Sequence, residues 1–280
     1  MNKILFSGTS NTMGLGLELE FRPRYNNHEW LLENGINLPD LTNIRSSKDK
    51  EIWKKYRWTG LVCKKLEMEE FNIMDGGKGD ISRGGNAVET IWLLNEEKKL
   101  LNYLDGVKYV IFEMGQVRWW NKKLHGENEK KYPNTITEIL NFIENPKTSI
   151  DERIKAINWL KEVDIKVYFH EAIKKLFELQ FKYKDIKFLW LPWSGLPHQF
   201  SGKFIKDNEL EDCMIDMGFE TVDRNIQEYL EHNKMRLGDT IKCFNENYKY
   251  TYKDEHANSE GHKWIASKVV KYIKKLEGKQ

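Results

Sequence analysis

The chain has 280 residues, 40% of them apolar and 31% charged, and 45 Lys and Arg against 43 Asp and Glu leave a formal net charge of +2. Mixed charge of this kind excludes a disordered polyelectrolyte and offers no blocked basic surface for nucleic acid. The length suits one large α/β domain with insertions or two small ones, and no apolar run approaches the roughly 18 residues of a membrane span.

Lys3 to Ser7 is a short apolar run that closes on small residues, as a buried parallel strand does. Its turn, Gly8 to Gly16, is rich in Gly, Ser, Thr and Asn, and an irregular insertion occupies 18–47. Helical spacing then runs from Asp49 to Leu66 through Ile52, Trp53, Tyr56, Leu61 and Val62. A second strand is expected over Glu70 to Met74, before a glycine-laden loop at 75–86. Ala87 to Leu104 has the period of a helix, and Tyr109 to Met114 is the clearest strand of the chain.

A second insertion, 115–133, carries Trp119 and Trp120. Two helical stretches follow, near 135–145 and 150–182, and then a strand from Lys187 to Pro192 that ends on proline as a strand leaving a sheet can. The chain finishes in an amphipathic helix over 260–277. Strands alternating with helices predict a mostly parallel sheet covered on both faces, with ligands at the carboxyl ends of the strands. No internal repeat or low-complexity linker interrupts the chain, so 1–280 is read as one domain.

Two segments carry chemistry. Ser10 lies in the first turn, and Asp254-Glu255-His256 stands just before the last helix. A hydroxyl becomes a nucleophile when a base takes its proton, and the base needs a partner that fixes its tautomer. Taken singly these residues have ordinary readings, Ser10 as a turn residue and Asp254 as an N-terminal charge. Gly76-Gly77-Lys78-Gly79 and Gly14-Leu15-Gly16 lack phosphate-loop spacing, and Asp254, His256 and His262 lack the i, i+4 spacing of a helical metal pair. The tryptophans are read first as core or loop packing, with Trp119 and Trp120 as a candidate sugar-stacking wall.

In block order, Gly8-Thr9-Ser10-Asn11-Thr12, Asp80 to Asn86, Gly115-Gln116-Val117-Arg118 and Asp254-Glu255-His256 with Gly261-His262 resemble the SGNH/GDSL hydrolase family. The resemblance implies a flavodoxin-like, three-layer α/β/α domain and hydrolysis of a carboxylic ester. It makes Ser10 the nucleophile, His256 the base and Asp254 its orienter. The amides of Ser10 and Gly85 then hold the oxyanion. Thr9 replaces the family's Asp, and Val117 stands where the family has an asparagine donor. Gln116, Asn86 and Arg118 are the candidate substitutes, and the sequence does not choose among them. The family usually separates Asp from His by two residues, a position held here by Lys253. His262 is read as a capping or packing residue.

Gly14 to Glu20 with Tyr56-Arg57-Trp58 is also similar to SGNH-like proteins of phage genomes. The resemblance implies no metal and no organic cofactor. It implies a small-molecule or glycan ester as substrate, an O-acetylated carbohydrate first, with no nucleic-acid or membrane partner. The other reading is a non-catalytic binding or virion-associated protein that kept the fold. Cys63, Cys213 and Cys243, with no metal-like spacing, are read as reduced thiols of a cytoplasmic or particle-associated protein. The apolar start, Ile4 to Phe6, is too short for a signal segment.

Overall fold

A computed structural model describes residues 2–8, 12, 14, 17, 47–73, 94, 97–114, 143–162, 165–193, 213–219, 225–244 and 249–278. In chain order the elements are β1 (Lys3–Ser7), α1 (Ser47–Tyr56), α2 (Trp58–Leu66), β2 (Glu69–Asn72), α3 (Glu97–Leu101), β3 (Val107–Met114), α4 (Ile150–Glu162), α5 (Ile165–Lys182), β4 (Lys187–Pro192), α6 (Ile226–His232), β5 (Arg236–Phe244), β6 (Lys249–Ala257) and α7 (Ser259–Leu276). No helix among the described residues is long and apolar enough to cross a membrane.

Four strands form a parallel sheet in the order β2-β1-β3-β4. Beyond β4, Met214 bridges Trp190 in parallel, and the Ile215 amide donates to the Trp190 carbonyl at 2.8 Å. The order is therefore 2-1-3-4 with the beginning of a fifth position, the flavodoxin-like arrangement in which the winding reverses between β1 and β3.

Period-two alternation sends successive side chains to opposite faces, so strands buried on both sides are apolar throughout. Ile4, Phe6, Tyr109, Ile111, Leu189 and Leu191 meet Trp58 and Val62 of α2 and Ile265, Val269 and Ile273 of α7 on one face. Leu5, Val110, Phe112, Phe188 and Trp190 meet Leu100 of α3 and Leu176 and Leu179 of α5 on the other. Helices thus cover both faces, as the alternation of elements predicts. On the second face, Glu97 pairs with Lys182 and accepts from Tyr183 at 2.5 Å, which ties α3 to the end of α5 and holds the Glu97 carboxyl below its ordinary range.

Several boundaries differ from the sequence expectations, each for a local reason. The helix expected over 49–66 is two helices, because Arg57 leaves helical geometry (φ −66°, ψ 149°) and buries its side chain toward Glu70. The second strand occupies 69–72 rather than 70–74, and the stretch 150–182 holds two helices. The helix expected near 135–145 and the two insertions fall largely or wholly outside the described residues.

The largest difference lies at 236–257. The sequence reading assigns no strand to this segment, and it forms an antiparallel pair, β5 with β6. Asp254 and His256 therefore belong to a strand rather than to a loop opening a helix. The helix begins at Ser259, with Asn258 as its cap; the Asn258 side chain accepts from the Gly261 amide at 2.9 Å.

Candidate functional site at the carboxyl edge of the sheet

In an open parallel sheet, loops at the carboxyl ends of the strands collect where the winding reverses, which here is the gap between β1 and β3. Gly8 follows β1 there, Asn72 ends β2, and Glu113 is the penultimate residue of β3. All three are buried, as is Thr12 in the turn after β1. A fully buried carboxylate needs hydrogen-bond partners to offset its lost hydration. Glu113 has one in the Thr12 hydroxyl, which donates to its Oε2 in a short contact. From the opposite side, the Asn72 side-chain amide donates to the Thr12 carbonyl at 2.9 Å and contacts Thr59 Oγ1 at 3.3 Å.

Two glycines let this turn close. A Cβ on Gly8 would overlap Thr12 Oγ1 and stand 2.5 Å from Glu113 Cβ. Gly14 has φ +86°, a region that side-chain-bearing residues rarely adopt, and a Cβ there would lie 2.8 Å from Arg57 Cβ. The turn therefore packs directly against the start of α2.

That start is a bracket of three residues. Arg57, 1% exposed, donates from Nε to Glu70 Oε1 at 2.8 Å, and the Thr59 hydroxyl contacts the same oxygen. The Trp58 amide, one of the orphan donors of a helix N-terminus, donates to His262 Nδ1 at 3.1 Å. The first turn of the chain and the start of α7 are thus joined to one tripeptide, Arg57-Trp58-Thr59.

Accepting through Nδ1 leaves the proton of the neutral His262 ring on Nε2, and that atom is buried without a hydrogen-bond partner. Burial, with the neighbouring charges of His256 and Arg57, pushes the His262 pKa down to about 3. The unfolded chain binds a proton near pH 6.5 that the native chain refuses, so stability falls as pH drops between those values and is unaffected above them. We expect urea midpoints of the wild type to decline from pH 6.5 to 4.5, with this group contributing up to about 1.4 kcal/mol per pH unit. His262→Asn keeps an acceptor for Trp58 and does not titrate, so its midpoints should decline less. Parallel curves for the two proteins would show that His262 is not the linked group.

Among the expected site residues, His256 is half-buried near the end of β6 and close enough to influence His262 electrostatically. Asp254 lies on the same strand, its backbone paired with Gly238. Ser10, Gly85, Asn86, Gln116 and Arg118 lie outside the described residues. His262 packs, as expected. Burial beside Glu70 pushes the Cys63 thiol up, so it stays protonated.

The Thr12, Asn72 and Glu113 cluster and the Arg57–Glu70 pair were missed from sequence. One signal was available: Glu113 interrupts an otherwise apolar parallel strand, and an acid in such a strand demands a partner. Among the described residues, no three His, Cys, Asp or Glu side chains gather as metal ligands.

The architecture is thus an α/β sheet with a buried polar cluster at its winding reversal. The sequence matches no protein-family model and no curated protein. Among solved structures it is similar to a family two carbohydrate esterase from Clostridium thermocellum, solved in complex with cellohexaose, at 13% identity and a TM-score of 0.41. That likeness covers 100% of this chain, which spans 65% of the esterase chain. It is also similar to a G-D-S-L family protein from Desulfitobacterium hafniense DCB-2, at 10% identity and a TM-score of 0.36, over 97% of this chain and 99% of the other.

Proposed function

We propose that the protein is a serine ester hydrolase working through an acyl-enzyme, with Ser10 as nucleophile, His256 as base and Asp254 as the residue that orients it. One observation carries the reading: Gly14 of the turn after β1 packs against Arg57, Asn72 bridges Thr12 to Thr59, and His262 of the helix that follows His256 accepts from the Trp58 amide. Gly8 and Thr12, which precede and follow position 10 in the chain, both flank the winding reversal.

In this mechanism the Ser10 hydroxyl attacks the ester carbonyl carbon as His256 takes its proton. The Ser10 and Gly85 amides donate to the tetrahedral oxyanion, with Asn86, Gln116 or Arg118 supplying the donor that Val117 does not. Collapse breaks the bond to the alkoxide, which leaves with the proton from His256. Water, deprotonated by the same imidazole, then attacks the acyl-enzyme and frees the acid and Ser10. An O-acetylated carbohydrate is the substrate class we favour, with Trp119 and Trp120 as a wall for the sugar ring. No metal or organic cofactor enters these steps, and a cytoplasmic or particle-associated setting without nucleic-acid or membrane partners fits the scheme.

The test is labelling by a fluorophosphonate probe, which traps an activated serine. Wild-type protein should label and Ser10→Ala should not. Equal labelling of the two, or of neither, would remove the hydrolase reading and favour a binding protein that kept the architecture without the activity.

A further inference from the structure

We infer that Asn72 and Glu113 are positioning residues that hold the nucleophile turn from its two sides, acting through Thr12. The inference rests on the proposed role of Ser10 and adds to it the residues that hold Thr12, two places further along the chain. Because β1 lies between β2 and β3, the loop leaving it is flanked by the carboxyl ends of both neighbours. Each neighbour sends one buried polar side chain to the same residue. Asn72, at the end of β2, holds the Thr12 main-chain carbonyl at 2.9 Å. Glu113, near the end of β3, holds the Thr12 hydroxyl.

Thr12 is fully buried, Glu113 is fully buried and Asn72 is 5% exposed, so these bonds form away from competing water. They also use different atoms of Thr12. The amide arm constrains the backbone, and the carboxylate arm constrains the side chain. Together they fix both the position and the rotation of the residue two places after Ser10. Gly8, held against Thr12 and Glu113, fixes the other end of the same short segment. An apolar cluster could hold a loop equally firmly, but it would resist sliding less than two directional bonds of opposite approach.

The sequence separations, 60 residues from Thr12 to Asn72 and 101 from Thr12 to Glu113, make the clamp a product of the tertiary fold rather than of the turn. Thr59 extends it, since its hydroxyl meets both Asn72 and Glu70. The clamp is therefore continuous with the bracket that receives His262, and the nucleophile and base sides of the site share one scaffold.

The experiment compares Thr12→Val, which keeps the shape and loses the hydroxyl, with Thr12→Ser, which keeps the hydroxyl, and with Asn72→Leu. All are made in the full chain and assayed at a temperature where circular dichroism shows each folded. We expect Thr12→Val and Asn72→Leu each to lower kcat for p-nitrophenyl acetate and the rate of fluorophosphonate labelling by about 10- to 100-fold, since a misplaced reacting atom costs rate. KM should stay near wild type, and Thr12→Ser should restore most of the rate.

If Ser10→Ala abolishes labelling while Thr12→Val and Asn72→Leu label like wild type, the positioning claim fails and the hydrolase reading stands. A rise in KM with kcat unchanged, or failure of Thr12→Ser to restore the rate, would also overturn the claim. If Ser10→Ala labels like wild type, or the wild type does not label, both readings fall together.

Discussion

His256→Ala is expected to lower kcat for a short-chain ester by about 10³-fold or more, the scale on which removing the base of an acyl-transfer triad acts. Among the described residues, His256 and His262 lie close to one another, and their surroundings suit them to different work. His262 is buried, its Nδ1 occupied by the Trp58 amide, and its pKa pushed down to about 3, so it is a poor proton acceptor near neutrality. His256 is half-buried, on a strand whose end is fixed by the Asn258 amide donating to the Met235 carbonyl at 2.9 Å. That combination leaves the His256 ring partly exposed on a strand tied to the start of α7. The comparison is kcat for His256→Ala and His262→Asn, each corrected for the folded fraction. A His262→Asn enzyme as impaired as His256→Ala would reverse the assignment, and full activity in His256→Ala would eliminate the proposed base.

Arg57→Leu should be the most damaging single change to stability, at about 3–5 kcal/mol, because it strands the Glu70 carboxylate in a site with little access to water. Arg57 is 1% exposed and Glu70 16%, so the pair lies outside the surface regime where ion pairs count for little. Thr59 would remain as a partner for Glu70, which places the expectation toward the lower end of that range. The measurement is urea unfolding of Arg57→Leu, Glu70→Leu and the double variant. The double variant should lose less than the sum of the singles, since removing both charges leaves none unpaired. Loss below about 1 kcal/mol in Arg57→Leu would mean that water reaches the pair as it does at a surface.

The parts of the fold legible in the sequence were those with a strong local period. Tyr109 to Met114 and Lys187 to Pro192 were read as strands and are strands, and the last helix differs from its expected bounds by one residue at each end. These segments are apolar because both faces of the sheet are covered, and that pattern survives without knowledge of the neighbours. β5 and β6 were missed because their alternation is short, Ile241 with Cys243 and Tyr250 with Tyr252, among charged and polar neighbours. The break at Arg57 was hidden for a different reason. Helical spacing continues across it, and only the distant Glu70 explains why the arginine turns inward.

For the site, sequence order singled out His256 and Asp254 but misjudged their setting, since a strand rather than a helix start carries them. The clamp on Thr12 was invisible because its members lie 60 and 101 residues away, and no local pattern encodes such a meeting. Residues that touch substrate advertise themselves by type. Those that place them do so only through the fold.

The contact from Trp58 to His262 spans 204 residues of sequence. One side of the central sheet, with Phe6 and Trp58 stacked edge to face at 5.2 Å, is roofed by α7, which emerges from the ribosome after every other described element. During synthesis the part of that surface not covered by α2 stays open until α7 has been made, and contacts this distant in sequence close slowly. A nascent chain stalled before α7 would thus present a large target for chaperones, and the hydrogen-bonded bracket would not yet be complete.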